Sequence, residues 1–530
     1  MSPRSLPQRP NLDQLRRQAK ELRDAARAGG AAALAGIRAQ AGDADPLTLA
    51  AAQLAVAREH GFASWPRLKA EVEARTVGIA PRVDVFLRAS VTGQNGRAAR
   101  MLDADPGIAA YDFRTAVVLG EAARVREQLA RDPAIATRPE DRSGWPPLLG
   151  VCSSRWHRID PRRAQGMVEV ARLLLDAGAD PDTTVGGRPG QPTYCSTLFG
   201  AAGCADNPAI TALLLERGAT PDDHTIYLSA FHDDLECLRL LLAHSAGMGE
   251  STALAAPVST GDTEGVRLLL DAGADPARPL PADLLAENVP AGLLVTPLYA
   301  AIEAHCPTEL IELLLARGAD PYTPGGGGRS PYQLAVRQGR TDLAELLARH
   351  GAREDATAVD RFLGACLRGD RAAAERLLDR DPGLLDRLSD EDRAAIVDAA
   401  DGARAQAVRL MLDLGFPVGV RGGADGATPL HSAAGAGSVE LVRLLIERGA
   451  DIEAGDTTWG SSPLAWATVG SGLGLGRDPN PDWVATVQVL IDAGASLEGA
   501  WIDIKPPSPA VAELLRAHGV TDPAAEEEEN

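Results

Sequence analysis

Four arginines, an indole and an imidazole fall within nine residues at Arg155-Trp156-His157-Arg158 and Arg162-Arg163, in a chain whose formal net charge is −20. Trp and Arg are the residue types that dominate binding hot spots. The cluster is therefore a candidate contact for a partner, an acidic one included. Its alternative is a solvated loop whose Trp156 covers a neighbouring corner. Trp483 closes a second stretch of this kind, Gly470 to Asp482, and Trp459, Tyr322 and Tyr194 fall where projecting loops are expected. Aromatics on rigidly held loops suit recognition, and packing against the next loop suits them equally.

Chemistry of other kinds finds less support. His431 tempts as a base, yet no Ser or Cys stands beside a base and an orienting group as nucleophilic catalysis requires. A metal site needs ligands clustered at short fixed spacing. The nearest approaches, His305-Cys306 and His232-Asp233-Asp234, have no second half. Gly325 to Gly328 leads into Arg329-Ser330-Pro331 instead of the Gly-Lys-Ser/Thr of a phosphate loop, so it reads as a flexible projecting loop. No register of Gly470 to Gly476 satisfies GxGxxG. The expectation is no catalytic residue, no metal and no cofactor.

These residues sit on a repeated scaffold. Thr428 to Glu453, TPLHSAAGAGSVELVRLLIERGADIE, contains a Pro-opened helix, a Gly-rich corner, a second apolar helix and a Gly-Ala-Asp exit. In this unit Pro429 sits where a missing amide costs least. Leu441, Val442, Leu444 and Leu445 form the inward stripe of the second helix, and Gly449 supplies the left-handed residue after it. Thr428 to Gly449 spans 21 residues, Ser330 to Gly351 again 21, Thr296 to Gly318 and Ser196 to Gly218 22 each. Pro146 to Gly178 and Ser462 to Gly494 span 32, so each carries about eleven extra residues at the corner between its helices. Units near Asp105-Pro106, Asp132-Pro133 and Asp381-Pro382 exit on Asp-Pro instead. Such a unit cannot bury its apolar face alone and must stack on neighbours.

About twelve or thirteen units fill the chain from residue 79 to 520, with a softer place at Arg353 to Asp360 that divides the array into 79–352 and 353–520. A second soft place, Pro276 to Pro290, reads as a loop. Residues 1–78 read as a helical leader, with Leu12, Leu15, Ala19 and Leu22 at helical spacing and Phe62 and Trp65 expected to pin it to the first repeat. Residues 521–530 read as an acidic disordered tail.

The acidic balance disfavours nucleic acid and anionic membrane as general partners. It favours a basic or mixed-charge protein. The six cysteines are scattered with no CxxC pair, as expected of reduced thiols in a reducing compartment. The N-terminus lacks a signal-peptide core and no apolar run approaches membrane-spanning length. The expected location is cytoplasmic, with a monomer as the default state.

The unit at Thr428 resembles the ankyrin repeat family closely, and several other units match in part. PNLDQLRRQAKELRDAAR and REHGFASWPRLKAEV look like a leader found before some bacterial ankyrin arrays. The resemblance implies an all-α ankyrin-repeat solenoid of helix-turn-helix units with short hairpin-like loops at one edge. It implies a non-catalytic scaffold that binds a protein partner through its concave face and inter-repeat loops. A dedicated regulatory or inhibitory subunit of one enzyme is the alternative, and an enzyme is the remote one. In the family His431 bonds neighbouring loop backbone, so its expected role here is scaffold.

Overall fold

The computed structural model describes residues 12–41, 47–62, 64–69, 79–139, 144–186, 195–281, 284–285, 294–325, 328–423, 425–474, 478, 480–500 and 507–520. Tyr194, the acidic tail and part of Pro276 to Pro290 lie outside them. Two compact units divide the chain, Met1–Pro221 and Asp222–Asn530.

The first unit opens with the leader helices Leu12–Arg27, Ala31–Ala41 and Leu49–Glu59. Leu15, Ala19, Val56, Ala57 and Leu68 form a small core there. Phe62 and Trp65 pack against that core, so these aromatics close the leader's own interior, where the sequence had suggested a pin to the first repeat. Four helix pairs follow: Ile79–Val91 with Asn95–Ala104, Phe113–Val118 with Ala122–Arg131, Pro147–Cys152 with Ala164–Asp176, and Phe199–Cys204 with Pro208–Glu216. The helix Phe199–Cys204 is wound as a π-helix, in the unit where Thr197 replaces the opening proline.

The second unit stacks eight pairs, from Asp223–Ser229 with Glu236–His244 to Pro463–Leu473 with Trp483–Asp492, and ends on the single helix Pro509–Ala517. Pro429–Gly435 shows the packing logic. Gly435 and Gly470 let this inner helix meet Pro463–Leu473 backbone to backbone; a methyl group at Gly470 would fall 2.4 Å from the Gly435 carbonyl oxygen. The paired outer helix Val439–Glu447 buries Leu441, Val442, Leu444 and Leu445. Each such side chain contributes about 1.5–3 kcal/mol of transfer free energy.

The corner between inner and outer helix needs one left-handed residue. Gly120, Gly261, Gly339, Gly369 and Gly437 supply it at φ between 67 and 75°. In four units a side chain takes that conformation instead: Asp206, Leu235, His305 and Ala403, at φ between 50 and 57°. Each holds strain of about 1–2 kcal/mol, because Cβ crowds the following carbonyl. His305, which read as half of a metal pair, is one of these corner residues. Among the described residues no cluster of His, Cys, Asp or Glu is arranged to hold a metal ion.

Hairpin-like connections occur as expected. Thr184–Val185 pairs antiparallel with Cys195–Ser196, Leu280–Pro281 with Leu294–Val295, and Gly422 bridges Ala427. At Arg353 to Asp360 the chain is tied to the preceding unit. The Ser330 hydroxyl donates to Asp355 Oδ1 at 2.7 Å, and Gln333 Nε2 donates to the Asp355 carbonyl at 3.1 Å. Thr357 and Asp360 then cap the next inner helix, Ala358–Leu367.

Candidate interaction surface

The two corner insertions are built alike. In the first, a short helix Trp156–Ile159 turns the indole inward, leaving Trp156 3% exposed. Its Nε1–H donates to Ser90 Oγ at 2.9 Å, and its ring lies 5.8 Å from that of Phe86. The Arg163 guanidinium sits 5.5 Å above the indole while Arg163 Nη1 donates to the Leu119 carbonyl at 3.0 Å. The Arg155 backbone N–H donates to the Ser90 carbonyl at 3.3 Å. Arg158 pairs with the buried Asp206, which also offers its carbonyl to His157 Nε2. Burial pushes the His157 imidazole below its usual pKa and keeps it neutral.

The cluster is thus brought together as a plug that seals one repeat corner. Trp156 is withdrawn from solvent and is no surface anchor; the corner-covering alternative is what the geometry shows. Arg162 alone of the six is fully outward, 90% exposed and held only by its neighbour Asp160. In the second insertion Trp483 Nε1–H donates to the Gly435 carbonyl at 2.9 Å, and the Asp482 N–H to the Gly437 carbonyl at 3.0 Å. Trp483 is half-buried against the Gly437 corner.

The loop tips behave differently. Trp459 is 59% and Tyr322 53% exposed. Trp459 is presented by a carboxylate that sequence reasoning missed. Asp456 is 5% exposed and its Oδ1 accepts the N–H groups of Thr458, Trp459 and Gly460 at 3.0, 2.6 and 3.1 Å. Its Oδ2 accepts the Trp466 Nε1–H at 2.9 Å. Burial opposes the charge, but the indole and the three amides outweigh it and hold this carboxyl below the ordinary aspartate range. The signal available in sequence was an Asp three residues before a loop Trp and ten before another. Tyr322 is placed by its N–H donating to Asp320 Oδ1 at 2.8 Å, and its hydroxyl lies over Gly351.

Tyr322 and Trp459 follow the outer helices Thr308–Ala316 and Val439–Glu447, four repeats apart. At 8–10 Å per helix spacing they are separated by roughly 30–40 Å. No small ligand touches both.

His431 is scaffold. Its Nδ1 accepts the Thr428 N–H at 3.2 Å, its Nε2 meets the Ser461 carbonyl at 3.0 Å, and its ring stands edge-on to Trp466 at 5.5 Å. Desolvation lowers its pKa, so it is a neutral imidazole. In the loop that follows Tyr322, Gly325 lies against Tyr299, where a methyl would fall 2.2 Å from the ring, while Gly328 is exposed with nothing within 4 Å of an added Cβ.

Stacked helix pairs with left-handed glycine corners and hairpin-like connections define a repeat solenoid of the ankyrin class. Residues 298–348 match a family model described as ankyrin repeats (many copies), and residues 362–456 match one described as ankyrin repeats (3 copies). Over these residues the chain carries ankyrin repeats.

It is 31% identical over 311 residues, 57% of its length, to Ankyrin repeat and KH domain-containing protein mask-1 of Caenorhabditis elegans. It is 32% identical over 168 residues (31% of its length) to Ankyrin repeat and SAM domain-containing protein 6 of Danio rerio. Over 161 residues (27% of its length) it is 32% identical to the B-cell lymphoma 3 protein homolog of Mus musculus. These matches span only 10%, 23% and 33% of the respective relatives. A crystal structure of the human ASB11 ankyrin repeat domain aligns over 46% of this chain and 98% of its own, at 21% identity and a TM-score of 0.21. At that score the fold assignment rests on the repeat geometry itself. Among the described residues no helix is long and apolar enough to cross a membrane.

Proposed function

We propose that the chain is a non-catalytic scaffold that holds a protein partner against its inter-repeat loop tips and inner-helix face. The observation that carries this reading is Trp459, an exposed indole on a backbone fixed by three hydrogen bonds to Asp456. Side chains ordered before binding cost less entropy when they bind. Tyr322, held at a second tip far from the first, makes an extended protein surface the fitting ligand. Ankyrin repeats serve as interaction modules, which agrees with this reading. A cytoplasmic site of action and a monomeric state belong to the same proposal.

Trp459→Ala tests it. The variant should keep the unfolding curve of the parent and capture its partner from native cell extract at least tenfold less well, a loss typical of a hot-spot aromatic. Equal capture by parent and variant, with Tyr322→Ala also silent, would remove the loop tips from the interface. Capture of one stoichiometric enzyme would instead favour a dedicated regulatory subunit.

A further inference from the structure

The outer helix Arg371–Arg380 departs from its neighbours in a way that opens a cavity. Its corner is in register with that of Val439–Glu447, since the Asp370 N–H donates to the Ala365 carbonyl as the Ser438 N–H does to Ala433. In that register Ala373 stands where the later helix has Leu441, and Arg376 where it has Leu444, both buried leucines. The preceding outer helix, Thr341–Arg349, has Leu343 and Leu346 there, also buried. The following outer helix, Ala405–Asp413, has the buried Ala407 and Leu410 there. Arg376 is therefore the departure from both neighbours, and beside it lies a groove of about 300 Å³ between the helices at 331–349 and 358–380. Val336, Ala365 and Leu377 line it, and four arginines reach it: Arg361, Arg368, Arg376 and Arg380.

All four are solvent-exposed, and among the described residues none forms an ion pair or side-chain hydrogen bond. What sets them apart is that four such guanidinium groups share one groove, in a chain where many other arginines are paired. Most carboxylates closest in sequence are engaged elsewhere: Asp360 faces Arg337 at 3.8 Å, Asp370 accepts the Ala373 N–H at 3.0 Å, Glu375 faces Arg371 at 3.7 Å and Asp381 pairs with Arg387. Asp379, beside Arg380, is one carboxylate set against the four guanidinium groups. The groove is therefore a concentrated positive site within a protein of formal charge −20. Beyond a screening length of about 8 Å the surrounding negative charge has little say in what enters it.

We infer that this groove binds an acidic peptide segment of a partner protein, one that carries carboxylates three residues apart with aliphatic side chains between them. The inference rests on the interaction reading above and adds a chemistry to it. Guanidinium groups recognise carboxylates bidentately, and the apolar lining gives aliphatic side chains a place that a purely ionic ligand would leave empty. Arg361 and Arg368 lie seven residues apart on one helix, about 10 Å. A peptide in the polyproline-II conformation spans that distance in about three residues, one full turn, so carboxylates at i and i+3 lie on one face and meet both.

The test uses the full chain and a fluorescein-labelled, end-blocked Glu-Leu-Glu-Glu-Leu-Glu peptide read by anisotropy. Binding should weaken with added salt and fall roughly tenfold or more in Arg368→Gln/Arg376→Gln, the expected loss of two charge-assisted contacts. Arg88→Gln/Arg443→Gln, which removes two exposed arginines elsewhere, should bind as the parent does. The lysine pair Arg368→Lys/Arg376→Lys should recover part of the affinity.

Failure of the parent to bind the peptide at about 1 mM, the weak end of measurable affinity, would overturn the inference, as would equal binding by the glutamine variant. Inorganic phosphate or a single-stranded DNA oligomer that binds in the peptide's stead, and loses binding in the same variant, would overturn the peptide assignment. If the parent fails with the peptide yet still captures a protein from native extract through Trp459, the groove inference falls and the scaffold reading stands.

Discussion

Replacing Trp156 by alanine separates a structural plug from a surface anchor, and the structure sets the size of the effect. The indole is 3% exposed, so truncation empties a large buried volume that the corner can only partly refill. Trp→Ala changes of this kind cost about 3–5 kcal/mol. The ring's offset contact with Phe86 and the Arg163 guanidinium above it add to the loss, each within the range of about 0.5–1.5 kcal/mol. A total near 4–5 kcal/mol is expected. Trp156→Phe keeps most of the packing but removes the Nε1–H donor to Ser90, a loss of about 1 kcal/mol. Urea unfolding followed by far-UV circular dichroism measures both, and a cycle with Ser90→Ala isolates the hydrogen bond. Arg162→Ala, on the outward residue of the same cluster, should leave the curve where it was. A shift below about 1 kcal/mol for Trp156→Ala, accompanied by weaker partner capture, would return the indole to the surface and refute the plug.

Three further outcomes follow from the geometry. Asp456→Asn should cost about 2 kcal/mol, because an amide nitrogen would face the Trp466 N–H donor; hydrogen exchange at residues 458–460 should lose protection, and unchanged exchange would show that the carboxylate does not hold the loop. His431 has a folded pKa below its unfolded value of about 6.5, so its contribution to stability is complete above that pH and erodes as pH falls below it. His431→Gln should flatten this part of the stability–pH curve, and an unaltered slope would assign it to other groups. Ala403→Gly should stabilise by about 1 kcal/mol by relieving a left-handed alanine, whereas Gly449→Val should cost about 1–3 kcal/mol although nothing lies within 4 Å of the added Cβ. Thermal or urea midpoints that moved the other way would contradict the strain argument.

How far the sequence could be read depended on whether a residue's role is set locally or by its neighbours in the stack. The Pro-opened helix at Thr428, the left-handed Gly449 and the leucine stripe of Val439–Glu447 are decided within one repeat, so spacing alone revealed them. His431 was legible through the family resemblance instead: its Nδ1 accepts from Thr428 at the start of its own helix, and its Nε2 meets the Ser461 carbonyl of the next unit's loop. Trp156 was not, because its environment comes from Phe86 and Ser90, two units earlier in the chain. Composition marked it as a hot spot, while long-range packing made it core. The need for a glycine at 325 was hidden in a similar way, since only Tyr299 from the preceding inner helix explains why this residue lacks a side chain.

The same distinction explains why the arginine groove escaped notice. Arg376 is unremarkable in sequence, one basic residue among 53 Lys and Arg. Its meaning appears only when the helix is set in register with Val439–Glu447 and a buried leucine is found at the matching position. In a stacked array every outer helix must supply the same few apolar side chains to the row, because its neighbours supply no other wall. A helix that withholds them either leaves a void, which costs stability in proportion to its volume, or lines the gap with groups that water can reach. Arg371–Arg380 does the second: Ala373, Arg376, Leu377 and Arg380 line the gap, and both arginines are exposed. A sequence that sets a cation at this position of the row, and gathers four cations in one groove unpaired among the described residues, is balancing stability against something other than the fold.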